Sequence, residues 1–449
     1  MRILVIGSGA REHAILVALA GGPDAARSGA TRSGDAVHEL HAAPGNPGMA
    51  AVAHLHEVDG LDPAAVATLA VGLQADLVVV GPEAPLVAGV ADAVRDAGVP
   101  CFGPSAEAAA LEGSKAFAKD VMAAAGVPTA MAHVCTTVAE LSEALDAFGA
   151  PYVVKDDGLA AGKGVVVTSD RDEAMRHGGA CLSRPADRGL APAVVVEAYL
   201  DGPEVSLFCL SDGSTVVPLA PAQDFKRALD GDEGPNTGGM GAYSPLTWAP
   251  ADLTAEVLAR VAEPTIAEMR RRGTPFAGVL YCGLALTGRG VRVIEFNARF
   301  GDPETQVVLA RLATPLAEVL LAAATGGLDR LPPLRWRPDA AVTVVVAADG
   351  YPGAVRTGDP VKGVAEAEDL PGVHVLHAGT GVQDGAVVSA GGRVLSVVGT
   401  GPDVEQARAA AYAGVDRIRL RGSHHRTDIA ATLPTPVAAH PGASDSADA

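Results

Sequence analysis

The sequence VIEFNARFGDPE, at residues 293–304, alternates charged or amide side chains with apolar ones. Alternate side chains of a β-strand share a face, so Glu295, Asn297 and Arg299 should project together. Their Cβ atoms then lie about 6–7 Å apart per pair, and oxygen donors at that spacing suit Mg²⁺ ions that also bind substrate phosphates. The adjacent guanidinium suits a phosphoryl group in transfer. Three residues on the opposite face should enter the core: Ile294, Phe296 and Ala298.

A glycine-rich segment lies upstream, between short strands predicted at residues 152–155 and 165–167. Its loop, DDGLAAGKG, has the composition of a P-loop, but a P-loop opens a helix and this loop precedes a strand. We therefore predict a β-hairpin flap that folds over a triphosphate, and a solvent-exposed hairpin without a ligand stays open as the alternative. The residues expected to meet the phosphates are Lys155, Gly162, Lys163 and Gly164.

Strands and helices alternate over the first hundred residues, which predicts a parallel sheet covered on both faces. The first strand runs into Gly7-Ser-Gly9, which is half of a dinucleotide fingerprint, because Glu12 replaces the third glycine. Arg11 beside this turn fits a phosphate monoester at least as well as a pyrophosphate. Three interpretations stay open here: a nicotinamide dinucleotide site, a site for another phosphate, and a purely structural turn.

Two later loops follow predicted strands and contain Asn46 and Glu83. Ligands of open α/β sheets bind outside the carboxyl ends of the strands, so a second phosphate or ribose contact is one interpretation and ordinary turn chemistry the other. A longer loop follows Asp224 and Lys226, with the sequence PNTGGMGAYSP at residues 235–245. Its closely spaced glycines, prolines and donors indicate a shaped loop that could surround a small carboxylate substrate.

Composition limits the classes of function. The net charge of −19 opposes contact with nucleic acid, so we expect none, and any anion must be held by backbone amides and a few placed cations. Only six residues are lysine, and five lie between Lys115 and Lys226. No apolar run approaches the roughly 20 residues that span a bilayer, and the N-terminus passes straight into a strand, so we expect a cytoplasmic protein without a membrane partner. Five single cysteines predict buried reduced thiols.

The length of 449 residues predicts about three domains. We expect a parallel α/β domain at residues 1–104, a central region at 105–330 with a small flap subdomain near 127–198, and a small β-rich domain at 331–426. The last residues, 427–449, have the composition of a disordered tail, and residues 21–35 that of a mobile loop. One long helix is expected at residues 308–325.

Ten ordered motifs together resemble the phosphoribosylamine–glycine ligase (glycinamide ribonucleotide synthetase) family of the ATP-grasp superfamily. The likeness runs from residue 1 to about 426. The motifs are GSGAREHA, APGNPG, VGPEAPL, GPS, LEGSKAF, DGLAAGKGV, GPNTGGMGAYSP, IEFNARFGDPETQ, GYPG and HAGT. The resemblance implies a Rossmann-like N-terminal domain, an α+β ATP-grasp core with the hairpin flap, and a β-rich C-terminal domain in a monomer. It also implies ligation of glycine to 5-phosphoribosylamine through a glycyl phosphate, yielding glycinamide ribonucleotide, ADP and phosphate in purine synthesis.

The resemblance assigns roles by position. Mg²⁺ or Mn²⁺ would be held by Glu295 and Asn297. The nucleotide would be bound by Lys115, Lys155, Gly162, Lys163, Gly164, Glu197, Tyr199, Leu200 and Glu204. Residues expected to bind glycine or phosphoribosylamine are Gly9, Arg11, Asn46, Glu83, Asp224, Thr237 and Gly238. Residues expected to act in catalysis are Lys226, Asn236, Arg299 and Asp302.

Three positions depart from the family pattern. Asp156 stands where the family usually has alanine, Phe225 replaces a usual histidine, and Ala10 replaces a usual glycine. These departures leave open a catalytically weakened homologue or a binding module that keeps the fold. A different ATP-grasp carboxylate–amine ligase stays open too, as does a nicotinamide-dependent oxidoreductase, which is an enzyme of another class. The oxidoreductase leaves both the hairpin and the strand at 293–304 without a role.

Overall fold

The computed structural model describes residues 1–23, 38–159, 164–185 and 192–435. The first hundred residues form a parallel sheet with strand order β3-β2-β1-β4-β5, as predicted. The central strand β1 is buried because helices cover both faces. The elements are β1 (Arg2–Gly7), α1 (Ala10–Leu19), β2 (Glu39–Pro44), β3 (His54–Leu55), α2 (Pro63–Gly72), β4 (Leu77–Val80), α3 (Glu83–Val87), α4 (Val90–Asp96) and β5 (Cys101–Phe102).

A small antiparallel sheet follows, with strand order β6-β9-β7-β8 and its own apolar core beneath two helices. Strands β7 and β8 form the predicted hairpin, paired from Tyr152 with Thr168 to Lys155 with Val165. Its tip, with Gly162 and Lys163, lies outside the described residues. The elements are α5 (Ala110–Gly113), α6 (Lys115–Ala124), β6 (Ala132–Cys135), α7 (Val138–Phe148), β7 (Tyr152–Asp156), β8 (Val165–Thr168), α8 (Arg171–Leu182) and β9 (Val194–Glu197).

A second antiparallel sheet, with order β11-β10-β16-β17, carries the segment predicted to bind metal. The long helix expected at residues 308–325 is wrong: two helices form, because Pro315 lacks the amide hydrogen that a continuous helix would need. The elements are β10 (Glu204–Asp212), β11 (Val216–Pro218), β12 (Gln223–Asp224), β13 (Arg227–Leu229), β14 (Glu233–Asn236), β15 (Gly241–Ser244), α9 (Leu253–Val257), α10 (Glu263–Arg271), β16 (Ala277–Thr287), β17 (Gly290–Asn297), α11 (Glu304–Arg311) and α12 (Leu316–Thr325).

The last part of the chain does not build its sheet alone. The five-stranded sheet β12-β15-β18-β22-β19 takes its first two strands from the glycine-rich loop region before residue 245. The loop predicted to surround a substrate is therefore attached by backbone hydrogen bonds to the C-terminal strands. The remaining elements are β18 (Ala340–Ala347), α13 (Val364–Glu368), β19 (Val373–His377), β20 (Thr380–Gln383), β21 (Ala386–Ser389), β22 (Arg393–Gly401) and α14 (Val404–Val415).

Within the described part of the chain, no helix has both the length and the apolar composition required to cross a membrane.

Candidate active site

Lys155 and Glu197 form the buried centre of the predicted nucleotide side. Lys155 lies on β7, and its Nζ donates to the Ile294 carbonyl at 2.9 Å and lies 3.0 Å from Glu197 Oε2. Glu197 ends β9, immediately before the chain reaches Tyr199, which is about half exposed, and Leu200. The Lys155–Glu197 ion pair therefore joins the flap strand to the predicted adenine hinge. The hydrogen bond from Lys155 to Ile294 joins the flap strand to the predicted metal strand.

Lys119 belongs to the same cluster and was missed in the sequence. Its Nζ lies 3.2 Å from Glu197 Oε1 and donates to Thr129 Oγ1 at 2.8 Å. Burial lowers the pKa of Lys119, with Glu197 opposing that effect. The available signal was its position four residues after Lys115, on the same face of α6. Lys115 itself donates from Nζ to the carbonyl of Gly158, at the start of the flap loop.

The predicted metal strand contains an irregularity that alternation alone does not reveal. The pairing with β16 shifts after Gly283, which faces Glu295, so that Val293 is the next residue in register. Ile294 is the extra residue of this bulge and is partly exposed, so the prediction that it enters the core is wrong. Phe296 is buried as predicted, and so is Ala298.

Glu295 and Asn297 remain on one face, and neither side chain has a hydrogen-bond partner among the described residues. Burial alone would raise the pKa of Glu295, but neighbouring cations outweigh burial and lower it. These cations are Lys226, Lys155, Lys115 and Arg299. One ionised carboxylate and one amide, surrounded by positive charge, fit a divalent ion that completes its coordination with phosphate oxygens. Among the described residues, no three His, Cys, Asp or Glu side chains converge to hold a metal by themselves.

Arg299 lies just beyond the end of β17, between two carboxylates. Its Nε lies 3.3 Å from Glu83 Oε2 and 3.3 Å from Glu112 Oε1. Burial would lower the pKa of Arg299, but Glu112 and Glu83 outweigh it and raise that pKa. Glu112 was not predicted, and it also accepts a hydrogen bond from the Ala298 amide at 2.7 Å. Arg299 is thus placed by two ion pairs next to the strand that carries Glu295.

Asp224 and Lys226 bring opposite charges to the edge of the glycine-rich loop. Lys226 Nζ is paired with Glu204 and lies 3.9 Å from Asp224 Oδ1. Burial raises the pKa of Asp224 to about 7, with Lys226 opposing the rise and Glu304 and Glu204 adding to it. Burial would lower the pKa of Lys226, but Asp224 and Glu204 outweigh it and raise that pKa. Strongly shifted groups facing one another are typical of functional sites.

The glycine-rich loop at residues 235–245 continues from this pair toward the segment after β17. Asn236 ends β14, and Thr237 follows, with its amide donating to the Lys226 carbonyl at 2.7 Å and its Oγ1 donating to the same oxygen at 2.9 Å. Asp302 lies on the opposite side of the loop, where Oδ1 accepts from Gln306 Nε2 at 2.8 Å. The structure therefore brings Asp302 next to the loop region that carries three predicted residues much earlier in the sequence, Lys226, Asn236 and Thr237.

The N-terminal turn is packed around the side chain of Glu12. The Glu12 side chain lies between Gly7, Gly9 and Gly81, where any Cβ would come within about 3 Å of it or overlap it. Its Oε2 accepts the Gly9 amide at 2.7 Å, and its Oε1 accepts from Arg11. A carboxylate therefore fills the crevice between β1 and β4, where a dinucleotide would place its phosphates.

Two residues predicted to bind a substrate, Arg11 and Asn46, also have internal partners, and their contacts with substrate stay predictions. Arg11 is buried, pairs with Glu12 and donates from Nη1 to the Phe300 carbonyl at 3.0 Å, so part of its hydrogen-bonding capacity is used internally. Asn46 donates from Nδ2 to two carbonyls, of Ser8 and His377, each at 2.9 Å. Its Oδ1 accepts two backbone amides as well, so Asn46 fastens the first domain to the C-terminal strands.

The departures at Asp156 and Phe225 lie away from the reacting groups. Asp156 points to the opposite side of β7 from Lys155 and pairs with Arg184, after α8. The Phe225 ring packs near Tyr243 and under the Arg426 guanidinium, 5.0 Å from its centroid, so it contributes to the core. Gly164, at the end of the flap loop, accepts a hydrogen bond from the Asp156 amide at 2.7 Å.

Three family models match nearly the whole chain: the phosphoribosylglycinamide synthetase N domain at residues 1–112, the ATP-grasp (A) domain at 113–305 and the C domain at 341–432. A phosphoribosylamine–glycine ligase of Streptomyces coelicolor is 67% identical over 433 residues, covering 96% of this chain and 99% of the relative. One of Mycobacterium tuberculosis is 58% identical over 435 residues, covering 96% and 97%. These matches confirm the resemblance drawn from the motifs.

Solved structures of similar fold support the same family assignment or the same fold. The phosphoribosylamine–glycine ligase of Thermotoga maritima has a TM-score of 0.80 and 32% identity, covering 96% of this chain and 100% of that one. The biotin carboxylase domain of the Hydrogenobacter thermophilus 2-oxoglutarate carboxylase, solved with MgADP and bicarbonate, has a TM-score of 0.67 at 16% identity, covering 94% of this chain and 91% of that one. The second likeness concerns the fold alone, and together they confirm the predicted ATP-grasp fold.

Proposed function

This chain belongs to the phosphoribosylglycinamide synthetase family, and we propose that it ligates glycine to 5-phosphoribosylamine, converting ATP to ADP and phosphate and producing glycinamide ribonucleotide for purine biosynthesis. The observation that carries the proposal is the pair Glu295 and Asn297, which have no hydrogen-bond partner among the described residues and are surrounded by cations. Such a face has no evident structural use, whereas phosphoryl transfer requires both oxygen ligands for a metal and positive charge for the phosphates.

The chemistry proceeds in two steps. The glycine carboxylate attacks the γ-phosphorus of ATP and releases ADP, and the substrate amine then attacks the glycyl phosphate and releases phosphate. A divalent ion, Mg²⁺ or Mn²⁺, would neutralise the triphosphate when held by Glu295 and Asn297. Arg299, fixed by Glu83 and Glu112, would stabilise charge that develops on the phosphoryl group.

The remaining groups divide between the substrates. Lys115 and Lys155 would meet the nucleotide phosphates, Glu197 with residues 199–200 would bind the adenine, and Glu204 the ribose. Lys226, Asp224 and the loop at 235–238 would hold glycine. Water must be kept away because it would hydrolyse the acyl phosphate, and closure of the hairpin would provide that exclusion.

The amine substrate would lie between the first sheet and β17. Gly9 lies at one border of this space, because a Cβ there would be 2.9 Å from Glu12 Oε2 and 3.7 Å from Asp302 Oδ2. Because Arg11 is paired internally, Glu83, Arg299 and Asp302 border the substrate in the proposed arrangement. We further propose a cytoplasmic monomer with domain boundaries near residues 104 and 330. Light scattering of the purified protein tests the monomer.

The deciding experiment is phosphate release from ATP by the full chain, measured with glycine and freshly generated phosphoribosylamine together and with each omitted. Release should require both substrates and a divalent ion, and the product should have the mass of glycinamide ribonucleotide. Activity with a different amine in place of phosphoribosylamine would support another carboxylate–amine ligase. Absence of turnover with every amine, in a protein that still binds ATP, would identify an inactive homologue.

A further inference from the structure

Two residues from the C-terminal part of the chain contact Gly238, in the loop at residues 235–245. The amide of Gly238 donates to the Tyr351 hydroxyl at 3.1 Å. The carbonyl of Gly238 accepts from Arg393 Nη1 at 2.6 Å. Both polar groups of this residue are thus bound by side chains that follow it in sequence by more than a hundred positions. Neither Tyr351, from the GYPG motif, nor Arg393 takes part in the two chemical steps of the proposed reaction.

Arg393 also binds the segment that follows β17. Its Nη1 donates to the Asp302 carbonyl at 2.8 Å, and its Nη2 lies 3.1 Å from Asp302 Oδ2. Burial would raise the pKa of Asp302, but Arg393 and Arg11 outweigh it and lower that pKa, so the carboxylate stays ionised. One guanidinium therefore joins the glycine-rich loop to the end of the strand that carries Glu295. A planar group with five donors in fixed directions is suited to this task.

The close packing around these contacts explains why residues 238 and 239 are both glycine. A Cβ on Gly238 would lie 3.0 Å from the Arg393 Cζ, and one on Gly239, which has a φ of +107°, would overlap the Pro303 ring. These glycines let the loop approach Arg393 and Pro303. Glycine also leaves the loop backbone free to adopt many conformations unless something outside it restricts them. Arg393 and Tyr351 supply that restriction.

Arg393 is itself fixed by its surroundings. It begins β22 after Gly391 and Gly392, and a Cβ on Gly392 would overlap the Tyr351 ring. A Cβ on Gly379 would lie 2.7 Å from the Gly391 Cα, so this turn is tightly packed as well. The turn before Arg393 is therefore packed closely against Tyr351.

We propose that Arg393 and Tyr351 are positioning residues that hold the loop at residues 235–245 against the segment after β17 and thereby set the affinity for glycine. The effect reaches the reacting groups through Thr237, whose amide and hydroxyl bind the Lys226 carbonyl. The inference rests on the proposed ligase activity and assigns the C-terminal strands a part in recognising the carboxylate substrate.

The kinetic test compares Arg393→Ala, Arg393→Lys and Tyr351→Phe with Arg419→Ala, which removes an exposed ion pair to Glu366 elsewhere in the C-terminal part of the chain. Arg393→Ala should raise the KM for glycine about tenfold to a hundredfold, as expected for loss of charge-assisted hydrogen bonds, and leave the KM for ATP unchanged. Arg393→Lys and Tyr351→Phe should show smaller increases of the same kind. Added guanidinium ion should partly restore glycine affinity to Arg393→Ala, and Arg419→Ala should behave as the parent protein.

Hydrogen exchange provides a readout that does not require activity. Peptides covering residues 235–245 should exchange faster in Arg393→Ala and in Tyr351→Phe, while peptides from the first sheet should not change. Equal increases in KM for glycine and ATP, or unchanged exchange in the loop of both variants, would overturn the inference. If the parent protein has no glycine-dependent turnover, the ligase proposal fails instead, and exchange still reports whether these residues hold the loop.

Discussion

The sequences of the N-terminal turn and of β17 both predict a ligand site, but their polar groups differ in whether they have internal hydrogen-bond partners. At the turn, Glu12 accepts the Gly9 amide and pairs with Arg11. On β17, Glu295 and Asn297 have no hydrogen-bond partner among the described residues, although Glu295 is surrounded by cations. Both side chains are partly exposed, so an arrangement that leaves them without an internal hydrogen bond in the described structure and faces Glu295 with positive charge is expected to bind a ligand from solvent.

This difference separates structural glycines from functional ones. Glycine motifs are read as phosphate sites because backbone amides can approach a ligand, yet Gly7, Gly9 and Gly81 make room for an internal carboxylate. That carboxylate would repel a phosphate in the same crevice. The hypothesis of a nicotinamide-dependent oxidoreductase therefore loses its only structural support in the described part of the first domain.

The largest expected effect is a loss of turnover, and it follows substitutions on β17. Glu295→Gln and Asn297→Leu should each reduce turnover by about a hundredfold to a thousandfold, as for other groups that stabilise the transition-state charge. Folding should be unchanged, because neither side chain contributes to the core. Higher Mg²⁺ should restore Glu295→Gln more than Asn297→Leu, since the glutamine keeps one oxygen.

Arg292→Gln is the matched control on the same strand, because within the described part of the chain its guanidinium donates only to the neighbouring Val291 carbonyl. It should keep normal turnover. Wild-type activity of both Glu295→Gln and Asn297→Leu at low Mg²⁺ would place the metal elsewhere.

At the N-terminal turn the expected effect is on stability. A Cβ in Gly81→Ala would overlap the Glu12 carboxylate, and overpacking of this kind costs about 1–3 kcal/mol of unfolding free energy. Gly179→Ala, on α8 with no atom within 4 Å of the new Cβ, should instead be stabilising by roughly 0.5–1 kcal/mol. Denaturant unfolding measures both. A variant Gly81→Ala of normal stability but weakened phosphoribosylamine binding would make the crevice a phosphate site after all.

The attachment of α1 to the C-terminal strands should make stability depend on pH. His13 Nδ1 accepts the His377 amide at 2.9 Å, and burial lowers the pKa of His377 to about 4, with Glu368 opposing and His374 adding to the effect. Because the unfolded chain binds a proton that the folded chain does not, stability is full above pH 6.5 and falls as the pH drops toward 4.

In His377→Gln this loss should diminish by up to about 1.4 kcal/mol per pH unit, which is the limit for one titrating group. Thermal or denaturant unfolding between pH 7 and pH 4.5 gives the slopes. Identical slopes for the parent protein and His377→Gln would show that this histidine does not report on the attachment.

The smallest effect is expected at Asp156. Because its side chain points away from Lys155 and pairs with a half-exposed Arg184, Asp156→Ala should change turnover and the KM for ATP less than about twofold. Lys155→Met, one residue earlier and on the other face, should weaken ATP binding strongly and serves as the contrast. A comparable loss in both variants would mean that Asp156 does influence the nucleotide side and that the departure weakens catalysis.

Alternation and turn signals in the sequence were sufficient for local structure. They gave the parallel first sheet, the β7–β8 hairpin and the shared face of Glu295 and Asn297, because strand periodicity depends only on the covalent geometry of the backbone. Ordered motifs also gave the family. The tip of the hairpin, with Gly162 and Lys163, lies outside the described residues, so its role stays a prediction.

Pairing between distant residues was decided only by the tertiary structure. The bulge at Ile294 arises from pairing with β16, and the single-residue shift changes which side chains before Glu295 reach the core. The Arg11 contact with the Phe300 carbonyl, the Lys119–Glu197 pair and the Arg393 contacts depend on which segments meet, and sequence spacing carries no such information. Residue types therefore determined which groups could bind a ligand, while burial and internal partners determined which of them remain free to do so.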